Sequence, residues 1–240
     1  MSEPGGHVLV VGASSGIGRA VAARLASGAR ITALARRADR LAELEALGIA
    51  TVAGDVTDLP AIAGILQAAV AERGLLTGLV YCAGVQVIKP LRSLGVEEVE
   101  RLYRTNLVAP TLFAAAFGSA RVSTRDAVFC AVSSIAAQRP EPAIVPYAAS
   151  KAGLDALIKG LARELAPRRA VAVAPGWLDT EMTQAHARLY GADFKEGLEK
   201  RSPAGAATVD SVVDAIAFLM SPQARHVTGE ILRVDGGAML

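Results

Sequence analysis

Short apolar runs alternate along the chain with longer segments in which apolar residues recur every three or four positions. The runs predict strands at His7–Val11, Arg30–Ala35, Ala50–Ala53, Leu79–Tyr81, Ala127–Val132 and Ala170–Ala174, with a closing strand inside 228–237. Helical spacing ends at Leu25 in the first such segment, begins again near Leu59, and covers Val96–Phe117, Tyr147–Leu165 and Val209–Met220. The alternation predicts an α/β fold in which about seven parallel strands form one doubly wound sheet with helices on both faces.

The composition supports one large domain over residues 1–240. Hydrophobic residues make up 52% of the chain and aromatic residues 4%, so the core must consist mainly of Ala, Val, Leu and Ile. A net charge of +2 is too small to indicate a nucleic-acid partner. Cys82 and Cys130 lie in apolar strand-like runs, where buried thiols are expected rather than a disulfide. The sequence gives no reason to expect a metal.

The N-terminal residues MSEPGGHVLVVG lack the basic start of a signal peptide. No apolar stretch along the chain reaches the length of about 18 residues that a membrane span requires. We therefore expect a cytoplasmic protein that does not bind a membrane.

A glycine-rich turn separates the first strand from the first helix. Glycines let a backbone turn sharply and approach a phosphate closely, and the N–H groups at a helix N-terminus attract anions. The turn therefore predicts a dinucleotide site in a Rossmann-type domain. Its candidate cofactor ligands are Gly12, Ser14, Ser15, Gly16, Ile17 and Gly18.

Two arginines follow the second strand at the place where an NAD-binding protein usually has an acidic residue. An acidic side chain there would bind the ribose 2′-hydroxyl of NAD, whereas Arg36 and Arg37 suit the 2′-phosphate of NADP. One charge-assisted hydrogen bond is worth about 1.5 to 3 kcal/mol, which is roughly a 10- to 100-fold preference. The sequence favours NADP(H) over NAD(H), and two merely solvated arginines are the alternative.

The stretch 133–151 carries a hydroxyl, a phenol and an ammonium that one carbonyl could meet. Tyr147 and Lys151 are four residues apart, so a helix places them on one face. A tyrosine that acts as an acid near neutral pH needs its pKa lowered by about 3 units from its ordinary value of about 10, and a nearby ammonium shifts it in that direction. Ser133 or Ser134 would supply the hydroxyl.

These motifs together resemble the short-chain dehydrogenase/reductase family. The glycine spacing Gly-x-x-x-Gly-x-Gly, the Tyr-x-x-x-Lys pair and the segment 228–237 carry the resemblance, which is closest in look to 3-oxoacyl-acyl-carrier-protein reductases. The resemblance implies hydride transfer between a nicotinamide and a carbonyl or alcohol carbon. It assigns the four catalytic positions to Asn106, Ser134, Tyr147 and Lys151, with Ser133 as second choice for the serine.

Each catalytic residue has a role that the resemblance implies. Ser134 would hydrogen-bond the substrate oxygen, and Tyr147 would donate its proton. Lys151 would lower the pKa of the phenol and bind the nicotinamide ribose, while Asn106 would hold a water behind the lysine. Tyr147 and Lys151 therefore also count as cofactor ligands.

Further cofactor contacts follow from the resemblance alone. They are Asp55 and Val56 beside the adenine, Ala83 and Gly84 after the fourth strand, and Pro175, Gly176, Trp177 and Thr180 in the loop over the nicotinamide. The chain departs from the family where Tyr81-Cys82 replaces two asparagines. Because the lost asparagine normally ties the central strands together, we expect the departure to affect stability more than chemistry.

Substrate and partners are less well defined. A substrate lid is expected at about 181–203, and a fatty acyl thioester, a polyketide ketone or a small cyclic ketone fits equally well. Arg125 and Arg168 occupy positions at which the acyl reductases meet an acidic carrier protein. Family habit predicts a homotetramer or homodimer joined through the helices of Asn106 and Tyr147 and the closing strand. Four small residues would allow that contact: Ala148, Ala149, Ala152 and Gly153.

Three other functions remain open at this point. One is an NAD-dependent alcohol dehydrogenase of the same family. Another is a non-catalytic nucleotide-sensing protein on the same fold, because a fold does not determine function. The third is an epimerase or dehydratase, which the glycine spacing and the short C-terminal part disfavour.

Overall fold

Seven parallel strands form one sheet in the order β3-β2-β1-β4-β5-β6-β7. The computed structural model describes residues 5–184, 197 and 200–240. Most of the predicted lid at about 181–203 therefore lies outside the described residues. The strands are β1 His7–Val11, β2 Arg30–Ala35, β3 Ala50–Ala53, β4 Leu76–Tyr81, β5 Ser123–Val132, β6 Arg169–Pro175 and β7 Ile231–Val234.

Helices connect successive strands and cover both faces of the sheet, which confirms the predicted doubly wound Rossmann-type fold. Those described are α1 Gly16–Leu25, α2 Ala38–Glu45, α3 Ile62–Arg73, α4 Val96–Tyr103, α5 Ala109–Phe117, α6 Val145–Glu164, α7 Glu181–Gln184 and α8 Val209–Met220. A π-helical turn at Arg104–Val108 joins α4 to α5, so the single helix predicted over Val96–Phe117 contains one widened turn. No helix of the described residues is long and apolar enough to cross a membrane.

Each central strand is buried on both faces, which explains why the strands appear as continuous apolar runs. In β1 the side chains of Val8 and Val10 join the core beneath α1 and α8, whereas Leu9 and Val11 join the core beneath α3, α5 and α6. A third, smaller group of apolar residues surrounds Tyr147 at the carboxyl end of the sheet. The two main cores hold the strand ends in fixed positions.

Strand boundaries differ from the prediction where polar residues enter a strand. β5 begins at Ser123 rather than Ala127, because Ser123 pairs with Leu76 of β4, and the exposed residues Arg125 and Asp126 lie in the irregular stretch before the next pair, Gly78 with Val128. β7 is shorter than 228–237, since Gly229, Gly236 and Gly237 adopt positive φ angles of 71°, 64° and 86° and form turns at both ends. Apolar periodicity alone does not locate such ends.

The order of the strands creates a crevice at the carboxyl edge of the sheet. The chain winds from β1 to β3 in one direction and then resumes at β4 on the other side of β1, so the connections after β1 and β4 leave in opposite directions. A cleft of about 1220 Å³ lies at this edge. In an open parallel sheet, this switch point is the place at which ligands bind.

Candidate active site

The glycine turn after β1 fits tightly against the next strand. A Cβ at Gly12, whose φ is +86°, would lie 2.6 Å from the backbone nitrogen of Ala83, and one at Gly18 would lie 2.2 Å from the Gly12 carbonyl oxygen. Among the described residues, no side chain caps the N-terminus of α1 at Ser15. The uncapped turn lines the cleft and suits a pyrophosphate, which helix N-termini bind through backbone N–H groups.

Arg37 connects the end of β2 to the glycine turn. Its guanidinium donates to the Ser14 hydroxyl at 3.1 Å and to the Ser15 hydroxyl at 2.8 Å, and it pairs with Glu181 at 3.1 Å. Arg36 lies 3.7 Å from the Asp55 carboxylate and is largely exposed. The corner therefore presents two hydroxyls and two guanidiniums to the cleft, with one carboxylate partner for each arginine.

Asp55 is fixed by its own loop. One carboxylate oxygen accepts from the backbone N–H and the hydroxyl of Thr57, both at 2.8 Å. Burial raises the pKa of the Asp55 carboxyl, but the Thr57 hydrogen bonds and the Arg36 charge outweigh it and hold that pKa below its ordinary value. Asp58 precedes a 3-10 turn at Leu59–Ala61, and its side chain makes no capping bond to that turn.

Tyr147 and Lys151 lie on one face of α6, at the carboxyl end of β5. The Lys151 ammonium is 5.9 Å from the centre of the Tyr147 ring and donates to the Val132 carbonyl at 2.8 Å. Both side chains are buried and both line the cleft. Burial lowers the pKa of Lys151 to about 8, and the Asp155 carboxylate partly opposes that shift.

The two candidate serines have different surroundings. Ser133 is 3% exposed and donates to the Asp155 carboxylate at 2.5 Å, so its hydroxyl proton is already used. Ser134 is half-buried, and its hydroxyl oxygen accepts from the Ala136 N–H at 3.1 Å, which leaves its proton available to a ligand in the cleft. This difference favours Ser134 over Ser133 as the substrate-binding hydroxyl.

Asn106 lies in the π-helical turn and is fully buried. Its amide nitrogen donates to the Val85 carbonyl at 2.9 Å and to the Ser150 hydroxyl at 3.0 Å, and its oxygen accepts from the Val85 N–H at 2.9 Å. The side chain therefore fixes the loop after β4. It is the one predicted site residue that does not line the cleft, and its water-holding role stays a prediction.

Gly84 separates Asn106 from Lys151. A Cβ at this position would lie 3.6 Å from both the Asn106 side-chain oxygen and the Lys151 ammonium. The remaining predicted cofactor residues also line the cleft: Val56, Ala83, Pro175, Gly176, Trp177 and Thr180. The loop after β6 and the glycine turn therefore line the same cleft, and their contacts with a cofactor stay predictions.

Tyr81 and Cys82 replace two asparagines of the family without opening a gap. The buried Tyr81 hydroxyl donates to the Thr105 carbonyl at 2.7 Å, and its ring packs 5.7 Å from that of Phe113. Cys82 lies beside the glycine turn, and burial raises the pKa of its thiol above the ordinary value. Tyr81 thus ties β4 to the π-helical turn that holds Asn106.

Other residues near the site were missed by sequence reasoning. Asp155 had a readable signal, because it lies four positions after Lys151 on the same helix. The outer part of the cleft had none apart from the predicted lid, which contains Met182. The other residues come from three separate segments and include Gln86, Ile88, Arg139, Ile144 and Met239.

Arg125 and Arg168 lie at the amino edge of the sheet, opposite the cleft. Arg125 is exposed near the start of β5, whereas Arg168 donates to the hydroxyl of Ser123 at 2.7 Å and to its carbonyl at 3.0 Å. Arg125 lies eight residues before Ser133, near the other end of β5. Neither arginine borders the cleft of its own chain.

Comparison with known proteins defines the family. A family model described as enoyl-(acyl carrier protein) reductase matches residues 12–239. A 3-oxoacyl-(acyl-carrier-protein) reductase of Escherichia coli strain K12 is 34% identical over 244 residues, which cover 99% of this chain and 98% of the relative. The chain belongs to the short-chain dehydrogenase/reductase family. Members of this family are oxidoreductases that use nicotinamide cofactors.

The proteins similar to this short-chain dehydrogenase/reductase differ in their named activities. Gluconate 5-dehydrogenase of Gluconobacter oxydans is 32% identical, covering 98% of this chain and 95% of the relative. The crystal structure of a short-chain dehydrogenase from Burkholderia cenocepacia in complex with NADP superposes with a TM-score of 0.88 at 31% identity, covering 98% of each chain. The relatives thus include both a reductase and a dehydrogenase, so family membership alone does not select a substrate.

Proposed function

We propose that this short-chain dehydrogenase/reductase is an NADP(H)-dependent ketoreductase. The observation that carries the proposal is the convergence of Ser134, Tyr147 and Lys151 at the carboxyl end of β5, in the same cleft as the uncapped glycine turn. A non-catalytic sensor would need the turn and the arginine corner but not a buried ammonium beside a phenol. The arrangement supports catalysis over nucleotide sensing.

The chain's own residues would polarise and protonate a carbonyl oxygen. Ser134 has a hydroxyl proton available to donate to that oxygen, and the Tyr147 phenol would deliver the proton that makes the alcohol. The Lys151 ammonium, held by the Val132 carbonyl, favours the phenolate that remains after transfer. NADPH, when bound, would supply the hydride.

The glycine turn, the arginine corner and the loop after β6 would hold the cofactor. The close fit of Gly12 and Gly18 leaves no space for a side chain, so the backbone itself would meet the pyrophosphate. Arg36, Arg37, Ser14 and Ser15 offer donors to a 2′-phosphate, and no acidic side chain stands at the end of β2 to bind a free 2′-hydroxyl. This donor set supports NADP(H) over NAD(H).

The outer cleft supports a ketone attached to an acyl chain. Ile88, Ile144, Met182 and Met239 give it an apolar lining beyond the catalytic residues. The relatedness to a 3-oxoacyl-(acyl-carrier-protein) reductase points to a 3-oxoacyl or polyketide-type substrate, free or bound to a carrier. Because Arg125 and Arg168 lie at the opposite edge, a carrier docked there would deliver its substrate to the cleft of a neighbouring subunit.

We also propose that the chain forms a homodimer or homotetramer through α4, α5 and α6. Val108 and Leu112 are four residues apart and are 40% and 38% exposed, so they offer adjacent apolar surface to a second subunit. Ala149 and Ala152 are exposed there as expected, but Ala148 is buried in its own chain. Gly153 also packs internally, since a Cβ there would lie 2.9 Å from Leu107.

A carbonyl panel tests the proposed function. Purified protein is mixed with NADPH or NADH and with 3-oxoacyl thioesters, cyclic ketones or small hydroxyketones, and cofactor oxidation is followed at 340 nm. We expect turnover of at least one ketone with a kcat/KM at least tenfold higher for NADPH. Faster turnover of alcohols with NAD would favour the dehydrogenase alternative. Tight NADPH binding without turnover of any carbonyl or alcohol would favour the sensor.

A further inference from the structure

A buried carboxylate lies directly behind the catalytic residues. Asp155 is 8% exposed and lies one helical turn after Lys151 on α6. One of its oxygens accepts the Ser133 hydroxyl proton at 2.5 Å. A charged side chain is costly to bury, so a carboxylate in this position needs a compensating interaction.

Helix α6 holds the end of β5 at two consecutive points. The Lys151 ammonium donates to the Val132 carbonyl at 2.8 Å, and Asp155 binds the side chain of the next residue, Ser133. The following residue is Ser134. The two bonds therefore fix the last residues before the catalytic hydroxyl relative to the helix that carries Tyr147.

Burial raises the pKa of Asp155 above its ordinary value. The Ser133 hydrogen bond opposes that shift, as do the charges of Lys151 and Lys159, which lie four residues before and after it on the same helix. From other elements, Ser133 faces it from β5, and Glu230 shares with it a cavity of about 470 Å³ beside β7.

Lys151 depends on this carboxylate. Burial lowers the pKa of the ammonium to about 8, and the largest opposing effect is the charge of Asp155. The Cys82 thiol just after β4 also lies near the lysine, but burial raises its pKa and so favours the neutral thiol. Without a negative charge one turn away, the lysine would lose its proton at a lower pH.

We propose that Asp155 is a positioning residue of the active site. Its hydrogen bond to Ser133 fixes the segment that presents Ser134, and its charge keeps Lys151 in the ammonium form at the pH of catalysis. The inference rests on the ketoreductase function proposed above. It adds to that function a fifth residue, which touches neither the substrate nor the cofactor.

Two substitutions separate the hydrogen bond from the charge. Asp155→Asn keeps an oxygen that can accept from Ser133 but removes the charge. We expect kcat at the optimum to stay within about threefold of wild type, while the alkaline limb of the pH profile for carbonyl reduction moves about one pH unit lower. The alkaline limb moves to lower pH because a cation that loses an anionic neighbour deprotonates at lower pH.

Asp155→Ala removes both the hydrogen bond to Ser133 and the charge, whereas Ser133→Ala removes only the hydrogen bond. We expect each to lower kcat about 10- to 100-fold with little change in the KM for NADPH, and the double variant to be no worse than Asp155→Ala. Glu164→Gln, an exposed acid on the same helix, is the matched control and should leave the profile unchanged. Bound NADPH fluorescence reports whether each variant folds.

An alkaline limb that does not move in Asp155→Asn would overturn the electrostatic role, and full kcat in Ser133→Ala would overturn the positioning role. If wild type reduces no carbonyl, the proposed function fails, but the inference can still be measured. Nitrogen-15 NMR of the lysine side chains then gives the pKa of Lys151 directly. A lower value in Asp155→Asn supports the inference, and an equal value rejects it.

Discussion

The Lys151 ammonium lies 5.9 Å from the centre of the Tyr147 ring, and both side chains are buried on one face of α6. At this distance a positive charge in a water-poor site favours the phenolate over the phenol. The lysine is held in place by the Val132 carbonyl rather than by a salt bridge. Its charge is therefore available to the tyrosine.

The arginine corner should determine cofactor preference. Arg36→Ala combined with Arg37→Ala is expected to lower kcat/KM for NADPH about 10- to 100-fold while changing that for NADH less than threefold, because only NADPH carries the 2′-phosphate. Arg24→Ala is the matched control, since Arg24 pairs with Asp214 and neither residue lines the cleft. Equal losses with both cofactors would show that the corner supports the fold rather than the phosphate.

Lys151 should reduce stability while supporting catalysis. Its folded pKa of about 8 lies below the unfolded value of 10.5, so stability rises as pH increases from 8 to 10.5 and the protonated lysine is a net cost at pH 7. We expect Lys151→Met to abolish turnover but to unfold at the same temperature as wild type or higher. A thermal denaturation series at pH 7 checks this. A clearly lower melting temperature would mean that the Val132 bond outweighs the burial of charge.

His7 should make the fold sensitive to mild acid. The buried ring donates from Nδ1 to the Gly74 carbonyl at 2.8 Å, and its Nε2 lies 2.8 Å from the Thr32 hydroxyl, from which the neutral ring accepts. Burial lowers the pKa of His7, so its contribution is complete above pH about 6.5 and is lost as pH falls through the folded value.

Urea denaturation between pH 7 and pH 5 measures that effect. We expect the free energy of unfolding of His7→Asn to fall less over this range than that of wild type. His226→Asn, at an exposed position, should behave like wild type. If His7→Asn and wild type lose stability in parallel, the acid sensitivity arises from other groups.

Tyr81 should stabilise the turn that holds Asn106. Tyr81→Phe leaves the buried Thr105 carbonyl without its donor, which should lower the free energy of unfolding by about 1 to 3 kcal/mol. Because the cleft lining is otherwise preserved, kcat should change less than about threefold. Denaturant unfolding and steady-state kinetics measure the two quantities. A large loss of kcat without a loss of stability would place Tyr81 in the chemistry instead.

The sequence predicted most of the fold, because every central strand is an apolar run that ends at a turn of small or polar residues. Strand limits failed at β5 and β7, and at β4, which begins at Leu76 rather than Leu79, because backbone pairing extends beyond or stops short of the apolar pattern. Such limits depend on neighbouring strands, which a single run does not reveal. The lid predicted at about 181–203 lies mostly outside the described residues, so it remains a prediction.

Local motifs predicted which residues would meet, but not what each side chain would bind. Asn106 was identified by position, yet its contacts with Val85 and Ser150 depend on three distant segments. The sequence does not show that the Ser133 hydroxyl donates to Asp155, and this hydrogen bond is the physical reason to prefer Ser134. For Arg125 and Arg168 the sequence position does not reveal the location in the fold. It fits a carrier-protein site, but both residues lie at the edge of the sheet opposite the cleft.

The central claim is that Tyr147 donates the proton that converts a carbonyl to an alcohol. Tyr147→Phe removes one oxygen and keeps the ring, so the Kd for NADPH, measured by fluorescence titration, should stay within about threefold of wild type. In the same preparation, the rate of ketone reduction should fall by a factor of about 100 to 10,000, which is the contribution that general acid catalysis typically makes. Normal NADPH binding with normal ketone turnover would contradict the account.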